Sequence, residues 1–179
     1  MKPLVIILMG SRIDQAHAQK ISDALLEFEL ESTQRIASAH KVTRHLLEML
    51  AVYEADPRPK VYVTIAGRSN ALSGVVDANV TAPVIACPPE SAAFGGADIY
   101  SSLRMPSGVA PAVVLEPINV ALFAAKALGL KAQVAAFQRL QVDRSLADDA
   151  ELNQCDRCPS LALEESKEPG DPKEQKECS

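Results

Sequence analysis

Residues 4–9 read Leu-Val-Ile-Ile-Leu-Met, and Gly10-Ser11 ends the run at once. Six consecutive apolar positions leave no polar face. A strand of that kind is stable only when covered on both sides, as in a parallel sheet flanked by helices. The run is too short for a membrane span or the apolar core of a signal peptide. It therefore predicts a central strand whose carboxyl end opens at Gly10-Ser11.

The rest of the chain alternates accordingly. A helical pattern runs from Asp14 to about Phe28, with Ala16, Ile21, Ala24, Leu25 and Phe28 sharing a face. A second strand is expected over residues 33–37, then a helix over 42–54 carrying Leu46, Leu47, Met49 and Leu50, closed by Asp56-Pro57 and Pro59. Residues 61–66 read as a third strand, followed by a short helix to about Asn79. A fourth strand at 83–86 stops at Cys87-Pro88-Pro89. Residues 90–111 form a long irregular segment. A fifth strand at 112–115 precedes helices at 119–128 and 131–150. This order predicts a three-layer α/β/α sandwich around a parallel sheet.

The chain has 179 residues, enough for one domain with a sizeable core. The expected domain spans residues 1–152. From 153 onward the composition turns polar and proline-bearing, which predicts a disordered tail containing Cys155 and Cys158. That lone C-x-x-C pair lacks the second pair of a zinc ribbon and adjoins no strand, so it reads as incidental. No disulfide framework is apparent, and a cytoplasmic protein is expected. With a net charge of −5 and no interleaved basic and aromatic stretches, nucleic acid is not an expected partner, nor is a membrane.

In open parallel sheets, ligands bind beyond the carboxyl ends of the strands where the strand order reverses. The first three strand ends here are "GSRID", "SAHK" and "AGRSN". Ser11, Ser38 and Ser69 offer hydroxyls. Gly10 and Gly67 allow bends and close approach, and Lys41 and Arg68 add positive charge. Together with helix N-termini, this chemistry suits a phosphate-bearing metabolite. Asp14 reads equally as a helix cap or as an acceptor for sugar hydroxyls. His40 is the histidine at a strand end, where acid–base and structural roles stand level. His17 and His45 fall inside helices and read as packing or surface residues. No cluster has metal-ligand spacing, and dinucleotide and phosphate-loop fingerprints are missing.

Taken in order over about residues 3–130, "GSRID", "SAHK", "AGRSNALSG", "APVIACPP" and "SSLRMPSGVAPAVVLEPINVALFAAKALGL" resemble the AIR carboxylase (phosphoribosylaminoimidazole carboxylase) family. The "SAHK" and "AGRSN" pairing is similar to class II, the type that uses carbon dioxide and is also found in the animal bifunctional enzyme. Class I, the mutase acting on N5-carboxyaminoimidazole ribonucleotide, carries "SAHR" and a "GAAHLPG"-type loop.

The resemblance implies a flavodoxin-like sandwich in a homo-oligomer, an octamer or tetramer. It also implies reversible carboxylation of 5-aminoimidazole ribonucleotide without ATP, biotin, metal or other cofactor. Carried residue by residue, it places Ser11, Asp14, Ser38 and Lys41 at the ribose phosphate end. Gly67 and Ser69 would lie where base and carbon dioxide meet, His40 would move the C4 proton, and residues 105–108 would close the pocket. One departure is Ile13, where the family's first loop usually has a second Ser. It keeps open a third reading, a catalytically silent nucleotide-binding protein.

Overall fold

The computed structural model describes residues 1–91 and 93–154. Five strands form one all-parallel sheet in the order β2-β1-β3-β4-β5. They are β1 (Leu4–Met9), β2 (Glu31–Ile36), β3 (Lys60–Ile65), β4 (Val84–Ala86) and β5 (Ala112–Val113). This order is that of a flavodoxin-like doubly wound fold, whose reversal lies between β1 and β3.

All six residues of β1 are buried, as the unbroken apolar run requires. Successive side chains of a strand point to opposite faces. Accordingly Val5, Ile7 and Met9 pack with α1 (Gln15–Leu26) and α5 (Pro117–Ala127), through Ile21, Leu25, Val120 and Ala124. Leu4, Ile6 and Leu8 pack on the other face with α2 (Thr43–Glu54) and α3 (Ala71–Asp77), through Leu46, Leu50, Leu72 and Val76. These two apolar layers make the core of the unit spanning residues 1–139. A second unit starts at Leu140, where α6 (Lys131–Gln154) continues.

Several boundaries differ from the sequence reading. Strand β2 starts at Glu31 rather than 33, because an edge strand with half-buried Ser32, Thr33 and Gln34 carries a weak apolar signal. The other edge, β5, is only two residues long, and Leu115 lies beyond it exposed to solvent. Ala16 and Leu47, placed on buried faces, are exposed. A 3-10 turn, Arg12–Asp14, precedes α1. Helix α5 begins two residues early, with Pro117 at its first position, where a missing N–H costs nothing. Asn153 and Gln154 belong to α6, and the remainder of the expected tail, with Cys155 and Cys158, lies outside the described residues.

At the end of the sheet away from the strand carboxyl termini, Glu54 ties α2 to β3 and to the turn before β4. Its Oε1 accepts the Tyr62 hydroxyl at 2.9 Å, and its Oε2 accepts the Thr81 N–H and hydroxyl at 2.9 and 2.8 Å. Burial raises the Glu54 pKa, but the bonds from Thr81 and Tyr62 outweigh it, and the net shift is downward. A depressed carboxylate pKa contributes stability that is present above the unfolded pKa and is lost as pH falls through the folded value. Glu54→Ala also strands the hydroxyl of buried Tyr62, at a cost of about 1–3 kcal/mol. The variant is expected to melt earlier than wild type near neutral pH, with a gap that narrows in acid. Equal melting temperatures at pH 7 would show that this carboxylate contributes nothing.

Candidate active site

Beyond the carboxyl ends of β1, β2 and β3 lies a cavity of about 520 Å³. The loop after β1 contributes Gly10, Ser11, Ile13 and Asp14. The corner after β2 contributes Ser38, Ala39, His40 and Lys41. The third wall is Ala66–Ser69 after β3, with Leu72 of α3 behind it. All seven residues singled out as candidates, Ser11, Asp14, Ser38, His40, Lys41, Gly67 and Ser69, therefore line one cavity. Lys41 and Arg68 face it against the single carboxylate of Asp14, so the wall carries an excess of positive charge on a protein of net charge −5. Such local excess draws small anions to a site regardless of the overall charge.

Each loop is shaped by short-range bonds. The Asp14 carboxylate does not cap α1. Its Oδ2 turns back to accept the Ser11 N–H at 3.2 Å and the Ser11 hydroxyl at 3.4 Å. Both bonds fall on Oδ2, which leaves the lone pairs of Oδ1 for sugar hydroxyls. In the second corner, the Val42 N–H reaches the Ser38 carbonyl at 3.0 Å and the Lys41 N–H reaches Ser38 Oγ at 3.3 Å. The Thr43 hydroxyl donates to the Ala39 carbonyl. Because Ser38 Oγ accepts there, its own proton is left to donate to an anion. This tight corner holds His40 and Lys41, both exposed, over the cavity.

Neither Gly10 nor Gly67 has a positive φ, and a Cβ at either would make ordinary contacts. The left-handed residue of the third wall is Arg68, with φ of 59°. Residues 105–108 do not line the cavity. Met105 instead packs on α3, with its Sδ 3.2 Å from where a Gly74 Cβ would stand.

The helical histidines behave as read. His45 is exposed on α2. His17 is partly buried and its Nε2 lies 3.2 Å from Cys87 Sγ, while the Cys87 thiol donates to the Leu115 carbonyl at 3.3 Å. Burial and then Lys20 lower the His17 pKa. Burial, with Glu116 adding to it, pushes the Cys87 thiol up to about 12. A thiol that is enclosed and protonated at neutral pH is a poor nucleophile. Among the described residues, no group of three or more His, Cys, Asp or Glu side chains could hold a metal ion.

Sequence reasoning missed a second cavity of about 470 Å³ beyond β4 and β5, lined by Pro88, Pro89, Glu90, Asp98, Leu115 and Glu116 among others. It shares Ala66 and Gly67 with the first. Part of its wall, including Glu90 and Asp98, comes from a segment whose irregular pattern gave no periodicity to read.

Comparison with known proteins agrees with this architecture along most of the chain. The family model described as AIR carboxylase matches residues 4–148. A Treponema denticola protein named phosphoribosylaminoimidazole carboxylase is 54% identical over 157 residues, covering 85% of this chain and 99% of that one. An Archaeoglobus fulgidus protein of the same name is 55% identical over 126 residues, 70% of this chain and 69% of its own. A crystal structure of Treponema denticola PurE superposes with a TM-score of 0.83 at 53% identity, over 84% of this chain and 99% of that one. With the family model spanning the sheet, both helical layers and all three walls of the cavity, the chain belongs to the AIR carboxylase family.

Proposed function

We propose that this chain carboxylates 5-aminoimidazole ribonucleotide at C4, reversibly and in purine biosynthesis, with carbon dioxide as the carbon source. The observation that carries the reading is the meeting of anion-binding, sugar-binding and proton-transfer groups in one cavity of a family member. Lys41, the Ser38 hydroxyl and the Ser11 loop bind the phosphate, and Asp14 accepts the ribose hydroxyls. The base then lies against Gly67 and Ser69.

The aminoimidazole ring is its own activator. Nitrogen lone pairs feed C4, which attacks the carbon of carbon dioxide and forms a C–C bond. C4 then carries both a proton and a carboxylate, and the ring carries the positive charge. Imidazole His40 removes the C4 proton, the C–H electrons restore aromaticity, and the exposed ring passes the proton to water. In reverse His40 protonates C4 and the carboxylate leaves as carbon dioxide. A histidine can hold and release a proton near neutral pH, which suits both directions. No ATP, biotin or other cofactor enters this scheme.

Class II chemistry is supported by Lys41 after His40 and by Arg68-Ser69-Asn70 in the third wall. The same reading assigns catalysis to residues 1–152, a homo-oligomer of four or eight copies, and a cytoplasmic setting. The deciding assay supplies either carbon dioxide with bicarbonate or N5-carboxyaminoimidazole ribonucleotide. Turnover with the first supports the proposal. Turnover with the second alone identifies a mutase, and nucleotide-dependent thermal stabilisation with neither identifies a silent binder.

Lys41→Ala removes a charge-assisted phosphate contact. Such bonds are worth about 1.5–3 kcal/mol, so the nucleotide KM is expected to rise about ten- to a hundredfold. Unchanged kinetics across nucleotide concentrations would remove Lys41 from the site.

A further inference from the structure

The third wall of the cavity holds a conformation that its own sequence resists. Arg68 sits at φ 59°, a region that bulky side chains rarely occupy unless neighbouring structure enforces it. What enforces it comes from the segment around α4 (Tyr100–Leu103), about thirty residues later. The Arg68 N–H donates to Asp98 Oδ2 at 3.2 Å, and the Asn70 N–H donates to Ser101 Oγ at 2.9 Å. Asn70 Nδ2 donates to Ser102 Oγ at 2.9 Å, and Ser101 Oγ in turn donates to the Asp98 carbonyl at 2.7 Å. Asn70 Oδ1 accepts the Ser73 N–H at 3.1 Å and so caps α3. Asn70, Ser73 and Ser102 are all buried.

These bonds leave the wall little freedom. Both Arg68 and Asn70 are fixed through backbone N–H groups, and Ser69 lies between them. Gly67 is backed by the Pro89 ring, whose Cγ stands 3.6 Å from where a Gly67 Cβ would be. Asp98 lines the second cavity and is not among the residues that line the first. A side chain that shapes a wall without touching the ligand acts by position alone.

We propose that Asp98 and Ser101, working through Arg68 and buried Asn70, are positioning residues for the carboxylation step. They latch the left-handed turn that sets Gly67 and Ser69 against the base. This rests on the reading of that wall as the place where base and carbon dioxide meet. The phosphate and ribose are held by the other two walls, so the latch governs turnover rather than nucleotide affinity.

The test compares Asp98→Ala and Ser101→Ala with Asp98→Asn and Ser101→Thr, which each keep the accepting oxygen. Since a displacement of about 1 Å can cost about a hundredfold, partial release is expected to lower kcat about tenfold in each alanine variant. Nucleotide Kd, measured by titration, is expected to stay within about twofold, the pattern of an interaction used in the chemical step. The Asn and Thr variants are expected to regain most of the loss. Amide hydrogen exchange in the assembled protein reads the latch without turnover, and the Arg68 and Asn70 amides are expected to exchange faster in the alanine variants.

Full kcat in both alanine variants would overturn the proposal, as would a loss of nucleotide affinity as large as the loss of kcat. Unchanged exchange at Arg68 and Asn70 would overturn the latch itself, whatever the activity. A wild-type protein that binds nucleotide without carboxylating it, yet shows the exchange pattern, would instead remove the functional reading and leave the latch standing.

Discussion

His40→Asn is expected to lower turnover in both directions by about 10²–10⁴-fold, the range that a positioned general acid–base supplies. Asparagine keeps a comparable polar volume and still forms hydrogen bonds, but it cannot take a proton near neutral pH. His40 is exposed and stands in a corner whose bonds run through Ser38, Ala39, Val42 and Thr43, so the fold does not depend on its ring. Nucleotide affinity and melting temperature should therefore stay near wild type. Single-turnover carboxylation and decarboxylation, measured beside nucleotide titration, check this. Near-wild-type turnover would sink the assigned role, and an equal loss in binding would make His40 a ligand contact instead.

The largest stability effect is expected at Phe28→Ala. Phe28 is fully buried just beyond α1, and its ring centroid lies 5.0 Å from that of Phe137 at 42°. Truncating a buried Phe typically costs about 3–5 kcal/mol, from lost transfer energy and the cavity left behind. Native stability is only about 5–15 kcal/mol, so the loss is a large fraction of the total. Aromatic residues are 4% of the chain, and Ala121, Ala124 and Ala125 in the same layer are too short to fill the gap. Urea unfolding at a fixed protein concentration checks it, since any assembly makes a midpoint concentration-dependent. A loss below about 1 kcal/mol would mean that this region repacks freely.

The architecture was legible where burial leaves no choice. An apolar β1 with polar breaks at its end predicted a parallel sheet, and Ser11, Ser38 and Ser69 pointed to the three walls. Sheet edges were less legible. The residues of β2 face partly to solvent, and β5 is too short for any period to show. The left-handed turn at Arg68 was not legible, because glycine is the usual residue for that conformation. Nothing local marks an arginine for that conformation, since its support arrives from Asp98. Asn70 did carry a local sign, as an amide three residues before Ser73 at a helix start. Its second partner, Ser102, is a long-range contact that spacing cannot reveal.

The strand order also bears on how the protein forms during synthesis. β1 emerges first, yet both of its neighbours, β2 and β3, come later in the chain. One of its two edges stays unpaired until residue 65 has been made. The residues that line the first cavity all lie within the first 72, whereas Asp98 and Ser101 come later. Non-local parallel pairing is slow, and apolar strands waiting for partners are prone to aggregate. The first cavity is thus outlined early by a nascent chain that must shield its most apolar strand, and the bonds from Asp98 and Ser101 to its third wall form only once that later segment has left the ribosome.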